Sequence, residues 1–493
     1  MKLHPLSLPY RAVTRSVSVG STVLFAGLAL AGAVDSLTVG AVALLVVAGL
    51  ALAVGWEYAY YRRFEYALTA DSLDIDSGVV SRRRREIPLR RVQNVDIRRN
   101  VVQRALGLAA VSLETAGGGE TEASLRFVSD EEARRLQREI QRRKRGVVAD
   151  EGGERPEPEA DLLYEISSTE LLLLSAVSLE PRVFGLVFLV VPLLTDAANS
   201  LGGLTLLVGL AQLAVSALVL WVASAMVTFA RYYDFRLARV DDELRYERGL
   251  LQRYDGSIPL DKVQTLTLRE NPLMRLAGYA TLSVETAGYA PGQGPSGGSE
   301  AAVPLAVRER VLALAHSIES FDDPTFERPP ARTRRRYAVR YALAVVGLTA
   351  LTYGVDRFTG LLDFWYAPLA LVALAPVAGH YQWKHRGYFV GDDHVQTRNG
   401  FWRRTTHVVP YYRVQTVIQR ETFFQRRWRL GTVVVDTASS VGLGGRDARA
   451  ADVDEGNASD LRELVGRRLG RQVRRRKAQS RRRNAESKPS SRE

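Results

Sequence analysis

The sequence predicts a polytopic α-helical membrane protein that carries three cytoplasmic all-β barrels, each capped by a C-terminal helix. Two observations support this fold class. Long apolar segments occur in three pairs, and one strand-like stretch recurs three times, once after each pair. Apolar runs therefore alternate with charged segments along the chain of 493 residues, as expected for a membrane protein with sizeable soluble domains.

The recurring stretch occupies residues 87–117, 258–288 and 409–439, and its copies align without a gap. Its length indicates a domain, because solenoid units recur about every 20 to 50 residues. The positions identical in all copies are Pro88/Pro259/Pro410, Val92/Val263/Val414, Gln93/Gln264/Gln415, Arg98/Arg269/Arg420, Arg104/Arg275/Arg426 and Thr115/Thr286/Thr437.

Each apolar pair predicts a helical hairpin across the bilayer, because a span needs about 20 mostly apolar residues. The predicted hairpins occupy residues 11–60, 170–230 and 337–383. Within them, the six spans are predicted at 16–34, 36–56, 183–200, 204–229, 337–355 and 364–383. A shorter apolar segment at 171–179 is predicted to be an interfacial helix.

Basic residues in the short flanks predict the orientation of the hairpins, because such residues accumulate on the cytoplasmic side. The turns within the hairpins have low or negative charge. Both termini and all three soluble domains are therefore predicted to be cytoplasmic, in a multi-pass protein of the cell membrane. The basic flanks are Lys2, Arg11 and Arg15; Arg62 and Arg63; Arg231; Arg332 and 334–336; and Lys384 and Arg386.

The soluble segments have the pattern of short antiparallel strands followed by one helix. Apolar and polar residues alternate at 73–77, and Gly78 ends that strand. Ser129 and Glu132 have the spacing of a capping box and predict a helix to about Lys144. The predicted soluble domains are 62–145, 231–320 and 384–471, separated by an acidic linker at 146–161 and a second linker at 321–336, with a disordered basic tail at 472–493.

The paired spans, the strand ending in Gly78, the Pro88-Leu89 step with Val92-Gln93, and the strand at 108–117 resemble the bacterial pleckstrin-homology-like (PH-like) domain. The membrane proteins that carry this domain form the YdbS/YdbT-like family. The resemblance covers roughly residues 11–471, although the third copy departs from the pattern at Arg429. It implies a PH-like barrel tethered to the cytoplasmic side of the membrane, and it supplies no established reaction.

The motifs for catalysis and cofactor binding are weak, so we predict a protein that is not an enzyme and has no cofactor or metal. There are no cysteines, which leaves no thiol nucleophile or thiolate metal site. The segment 292–297 matches G-x-G-x-x-G but lies between strands, where that pattern does not indicate nucleotide binding. His380 and His385 lack the spacing of a helical metal pair.

An arginine cluster precedes the Pro88 step and is a candidate contact for anionic lipid headgroups, since each basic residue near such a surface gains about 1 kcal/mol. The alternative is a solvated edge that discourages aggregation between strands. The basic tail lacks interleaved aromatic residues, and we predict no specific nucleic-acid partner. The cluster comprises Arg82, Arg83, Arg84, Arg85, Arg90 and Arg91.

Repeated domains without a catalytic set favour a non-catalytic, membrane-tethered scaffold or interaction module at the cytoplasmic face. Its expected partners are the lipid bilayer, anionic headgroups and a protein that the sequence does not identify. The alternative is a component of a transport or export system, favoured by six predicted spans with prolines at 192, 368 and 376. The near absence of charges within the predicted spans speaks against transport.

Overall fold

The computed structural model describes residues 1–31, 39–115, 123–144, 160–178, 205–286, 300–359, 365–438 and 448–486. Two compact units are present. Unit 1 comprises Met1–Leu162 and Ala230–Pro259, and unit 2 comprises Leu163–Phe229 and Leu260–Glu493. The boundary between the units therefore falls inside the second repeat, immediately after one of its strands.

In the first repeat, two long helices precede six strands and a closing helix. Its helices are α1 Ser7–Ala31, α2 Val39–Arg63, α3 Val101–Ala105 and α4 Asp130–Lys144. Its strands are β1 Glu65–Leu68, β2 Ser72–Ser77, β3 Arg83–Pro88, β4 Val92–Asn100, β5 Leu108–Thr115 and β6 Ala123–Ser129. The Ser129 hydroxyl accepts a hydrogen bond from the Glu132 amide at 3.2 Å, so the predicted N-cap of the closing helix is confirmed.

In their soluble parts, the second and third repeats have the same order of elements as the first, and in the second repeat a strand and a short helix come before the long helix. Those of the second repeat are β7 Asp161–Glu165, α5 Ser168–Val177, α6 Thr205–Tyr232, β8 Arg236–Val240, β9 Glu243–Arg248, β10 Gln252–Pro259, β11 Val263–Glu270, α7 Pro272–Ala277, β12 Tyr279–Thr286, β13 Glu300–Val307 and α8 Arg308–Ile318. Those of the third are α9 Arg332–Thr359, α10 Ala375–Lys384, β14 Gly387–Val390, β15 His394–Asn399, β16 Arg404–Pro410, β17 Val414–Arg420, α11 Phe423–Arg427, β18 Leu430–Thr437, β19 Ala448–Asp454 and α12 Glu455–Glu486.

The sheets of the two units join neighbouring repeats. In unit 1, β1-β2-β3 form one antiparallel sheet, and a second sheet contains the consecutive strands β6-β5-β4-β10-β9-β8. In unit 2, one sheet has the order β13-β12-β11-β16-β15-β14, and β17-β18-β19 form another. The last three strands of one repeat therefore continue into the first three strands of the next, and we call each such strand pair a junction.

Both junctions have the same register. At the first, Arg253 of β10 lies opposite Arg99 of β4, and at the second, Arg404 of β16 lies opposite Glu270 of β11. These are equivalent positions in the aligned repeats. The register is therefore a property of the repeat rather than of one local sequence.

The apolar cores lie between the sheets and the closing helix of a repeat. In unit 1, Ile75, Val111 and Ile140 belong to one core, which joins both sheets of the first repeat to α4. In unit 2, Val409, Val435 and Leu461 do the same for the third repeat. The predicted closed barrel is not found among the described strands, because each repeat pairs a strand edge with a neighbouring repeat instead.

Three described helices are long and apolar enough to cross a membrane: Gly40–Arg63, Ala214–Tyr232 and Arg332–Phe358. The predicted span at 183–200 lies outside the described residues. The predicted span at 364–383 is not one long α-helix, because a 3-10 segment at Ala367–Leu374 precedes the short α10. Proline in the first turn of both pieces accounts for the break.

The prediction of a disordered tail from residue 472 is wrong for its first part, because α12 continues to Glu486. Arg, Lys, Gln and Ala dominate that stretch, and all four are good helix formers. The charge run that suggested disorder therefore extends the closing helix of the third repeat.

Candidate functional site

The turn between the second and third strands has one backbone geometry in all three repeats. Gly78, Gly249 and Gly400 begin these turns with φ of +111°, +109° and +128°, a left-handed conformation that favours glycine. A Cβ atom at Gly249 would lie 1.9 Å from the carbonyl oxygen of Gln252. Glycine is therefore required here by both conformation and space.

Each of these turns contacts the end of the helix that precedes its three strands. Arg63, the last residue of α2, donates to the Val79 carbonyl oxygen in the first turn. In the second turn, the Leu250 amide donates to the Ala230 carbonyl oxygen at 2.7 Å, within the last turn of α6. In the third, the Phe401 carbonyl oxygen lies 3.3 Å from Nδ1 of His385, the residue directly after α10.

The short helices α3, α7 and α11 contact the opposite end, where each hairpin begins. Asn100, the N-cap of α3, donates to the Tyr10 hydroxyl at 3.0 Å, in α1. Asn271, the N-cap of α7, donates to the Val177 carbonyl oxygen at 3.2 Å, at the end of α5. In the third repeat, Arg332 of α9 donates to the carbonyl oxygen of Trp428, directly after α11, at 3.0 Å.

The turns and short helices expose apolar side chains at the level where the chain enters and leaves the hairpins. Trp402 is 64% exposed, Phe423 is 70% exposed and Leu276 is 87% exposed. We call this set the apolar rim. Its members are Val80, Val101, Val102, Leu250, Leu251, Leu273, Leu276, Phe401, Trp402, Phe423 and Phe424.

The predicted arginine cluster lies directly beside the rim. Arg82–Arg85 follow the Val79-Val80 turn, and Arg84 pairs with Asp76 of the neighbouring strand at 3.0 Å. All six arginines of the cluster are exposed, with Arg90 and Arg91 on the 3-10 turn Leu89–Arg91 after β3. The strand β3 is also the last strand of its sheet.

A buried polar network, missed at the sequence level, fixes the third hairpin to its soluble domain. The Asp452 carboxylate accepts from the Tyr337 hydroxyl at 2.6 Å and from the Gln425 amide at 2.9 Å, and it pairs with Arg336 and Arg386. Burial favours the neutral acid, but the two guanidinium groups and the hydrogen bonds hold the pKa of Asp452 below its usual value.

In the repeat alignment, the position of Asp452 is occupied by Phe127 and Leu305 in the other repeats, as judged from the strand register. An acid in place of two apolar residues was therefore a signal that the sequence contained. Its partners could not be found in the same way, because Tyr337 lies more than a hundred residues away in the chain.

The other predicted motifs add no chemical centre. The G-x-G-x-x-G segment at 292–297 lies outside the described residues. His385 is buried beside the Phe401 carbonyl oxygen at 3.3 Å, and burial lowers its pKa to about 4. Within the described ranges, no group of three or more His, Asp or Glu side chains is placed to hold a metal ion.

Comparison with known proteins finds one domain family that matches three parts of the chain. The family described as Bacterial PH domain matches residues 23–144, 187–321 and 341–469. A relative from Bacillus subtilis (strain 168), the UPF0699 transmembrane protein YdbT, is 26% identical over 420 residues, which cover 81% of this chain and 84% of the relative. No solved structure shows a significant match.

Proposed function

Because the chain belongs to the Bacterial PH domain family, we propose that it is a membrane-tethered scaffold that presents its repeated domains to partners at the cytoplasmic face. The observation that carries this proposal is the pair of junctions, which join neighbouring repeats through backbone hydrogen bonds in one register. Pairing through a sheet fixes the orientation of two domains far better than a flexible linker does. Within each unit, domains held in this way offer a continuous surface for binding.

The apolar rim supports placement of these domains directly against the bilayer. Its members lie beside the ends of the hairpins, where the headgroup region is expected, and two of the three turns contain residues as large as leucine or tryptophan. Aromatic and aliphatic side chains at that depth gain free energy by entering the interface. Six membrane spans and a cytoplasmic orientation remain part of this proposal.

Anionic lipid is the proposed headgroup for the arginine cluster. Arg63 binds the Val79 turn, which places Arg82 and its neighbours close to the end of α2. Native mass spectrometry of the purified protein should show retained anionic lipid, and replacement of Arg82–Arg85 by alanine should reduce that lipid. Equal retention by the variant would argue against lipid contact at this strand.

The scaffold function is tested by cross-linking in native membranes, followed by identification of the linked proteins. We expect specific partners that are recovered with the full chain but not with its hairpins alone. A set of linked proteins no different from that of an unrelated membrane protein would refute the proposal. No reaction is proposed, since the described residues bring together no convergent polar set in an accessible position.

Transport remains a second candidate because of one observation. The 3-10 segment Ala367–Leu374 interrupts the second half of the third hairpin, and broken helices form substrate sites in many transporters. Reconstitution into proteoliposomes tests this alternative, and a protein-dependent solute flux would support it over the scaffold.

A further inference from the structure

Each in-chain junction pairs the fourth soluble strand of one repeat with the third soluble strand of the next. One fourth strand and one third strand are therefore left without a partner strand in the described chain. The third repeat ends in the sheet β17-β18-β19, and the first repeat begins with β1-β2-β3. In the part of the chain that the structure describes, no strand lies on the outer side of β17 or of β3. These are the equivalents of the two edges that pair at each junction.

The solvent exposure of equivalent strands depends on whether they pair at a junction. Seven of the eight residues of β11 are buried, whereas β17, its equivalent in the third repeat, has one buried residue among seven. The first four residues of β3 are exposed, whereas its equivalent β16 has five buried residues among seven. Both outer strands thus lack the cover that the junction provides elsewhere.

We propose that β17 of one copy of this chain pairs with β3 of a second copy, in the register of the in-chain junctions. The inference deepens the proposed scaffold function, because it names a second copy as one partner of the scaffold. Applied to these strands, the register places Glu421 opposite Arg82, Arg420 opposite Arg83 and Gln419 opposite Arg84.

Charges on one face of this pairing are complementary. Glu421 and Arg82 are the equivalents of Glu270 and Arg404, which form a bidentate ion pair with distances of 2.6 and 2.7 Å. Glu421 also faces Arg84 diagonally, with the charges reversed relative to Arg99 and Asp255 at the first junction. Long side chains reach such diagonal neighbours in an antiparallel sheet.

The opposite face has one unfavourable pair, Arg420 beside Arg83, because like charges directly opposite each other are destabilising. At the first junction, the equivalent pair is Arg98 beside Tyr254, with the guanidinium carbon 5.7 Å from the ring centroid. Arg83→Tyr should therefore strengthen the association of copies. A contact of this kind is head-to-tail, so it closes into a ring or extends into a chain of copies.

A disulfide test on two differently tagged copies is decisive, because the natural chain has no cysteine. One copy carries Arg83→Cys and the other carries Arg420→Cys, so that any disulfide between them joins two chains. We expect a linked product containing both tags after oxidation of co-expressing membranes. The in-chain control is Arg98→Cys with Tyr254→Cys, which has the same register and should form an internal disulfide.

Linkage in the control without linkage between copies overturns the proposal. A full chain that is exclusively monomeric in lipid nanodiscs also overturns it. This holds even where anionic lipid is bound at Arg82–Arg85, because β3 would then contact lipid rather than a second copy. Failure of this experiment leaves the cross-linking test of the scaffold unaffected, and the reverse also holds.

Charge variants give a second readout, the mass of the full chain in nanodiscs. Arg82→Glu or Glu421→Arg alone should weaken association about tenfold, and both changes in one chain should restore it. Glu463→Arg, on an exposed position of α12, controls for the change of net charge. Absence of rescue in the double variant contradicts the proposed register.

Discussion

The ion pair between Glu270 and Arg404 should be a principal stabilising contact of the second junction. The Glu270 side chain is 6% exposed and the Arg404 side chain is 21% exposed, and both carboxylate oxygens accept from the guanidinium group. Arg308 adds a contact of 3.5 Å to the same carboxylate. Glu270→Ala leaves the Arg404 guanidinium group partly buried without this acceptor.

Removing one partner of a buried ion pair costs about 3 kcal/mol. For a cooperative unit of this size, about 1 kcal/mol corresponds to roughly 2–4 °C in the melting temperature. We therefore expect Glu270→Ala to lower the melting temperature of unit 2 by about 10 °C. Tryptophan fluorescence of the detergent-solubilised chain follows this transition, since Trp402 and Trp428 lie in unit 2.

The double variant separates the ion pair from other effects of each substitution. Glu270→Ala combined with Arg404→Ala should be less destabilised than the sum of the single variants, with a coupling of about 2 kcal/mol. Lys262→Ala is the matched control, because its pair with Asp261 is exposed and should contribute less than about 0.5 kcal/mol. Strict additivity of the two single variants would refute the assigned role of the pair.

Three further perturbations have defined outcomes. Gly249→Ala should destabilise the soluble part of the second repeat by more than about 2 kcal/mol, because of its φ of +109° and the 1.9 Å approach of Gln252; a neutral effect on thermal stability would contradict the turn geometry. Burial lowers the pKa of His407 to about 3, so the folded protein keeps this imidazole neutral while the unfolded chain gains a proton below about pH 6.5. The contribution of the neutral imidazole to stability is thus fully present above that pH and falls by about 2 kcal/mol at pH 5. His407→Gln should reduce this difference in stability between the two conditions, as measured by thermal melts above that pH and at pH 5. Lipids that carry a quencher at the headgroup level should quench Trp402, so Trp402→Ser should lower the quenchable tryptophan fluorescence; unchanged quenching would place this turn away from the bilayer.

The sequence predicted those parts of the fold that depend on local pattern. Apolar length located α2, α6 and α9, and a capping box located the start of α4. The repeat alignment also contained the apolar rim, because two apolar residues follow the glycine of every strand turn in register. The prolines of the 364–383 segment were its only sequence signal for a break in the helix. They did not predict the break, because proline is common in membrane helices.

The junctions could not be predicted from the strands one at a time. A strand edge bonds through its backbone, so it has no side-chain signature of the strand that will pair with it. The run of short antiparallel strands before one helix predicted instead that each repeat would close into its own barrel. The charged positions at 270 and 404, and those at 99 and 255, were signals in the sequence, and they acquire meaning only when the register between repeats is known.

The different charges at the two junctions favour the correct order of repeats. Arg99 of β4 finds a carboxylate at Asp255 of β10, whereas the equivalent positions of β3 and β16 are Arg84 and Thr406. Pairing of β4 with either of those strands would therefore leave Arg99 without this acid. Because an unmatched buried charge costs several kcal/mol, β10 is the strand of these three that suits β4. Glu421 of β17, in contrast, is suited to the arginine-rich β3, the one such edge that no strand in the described chain covers.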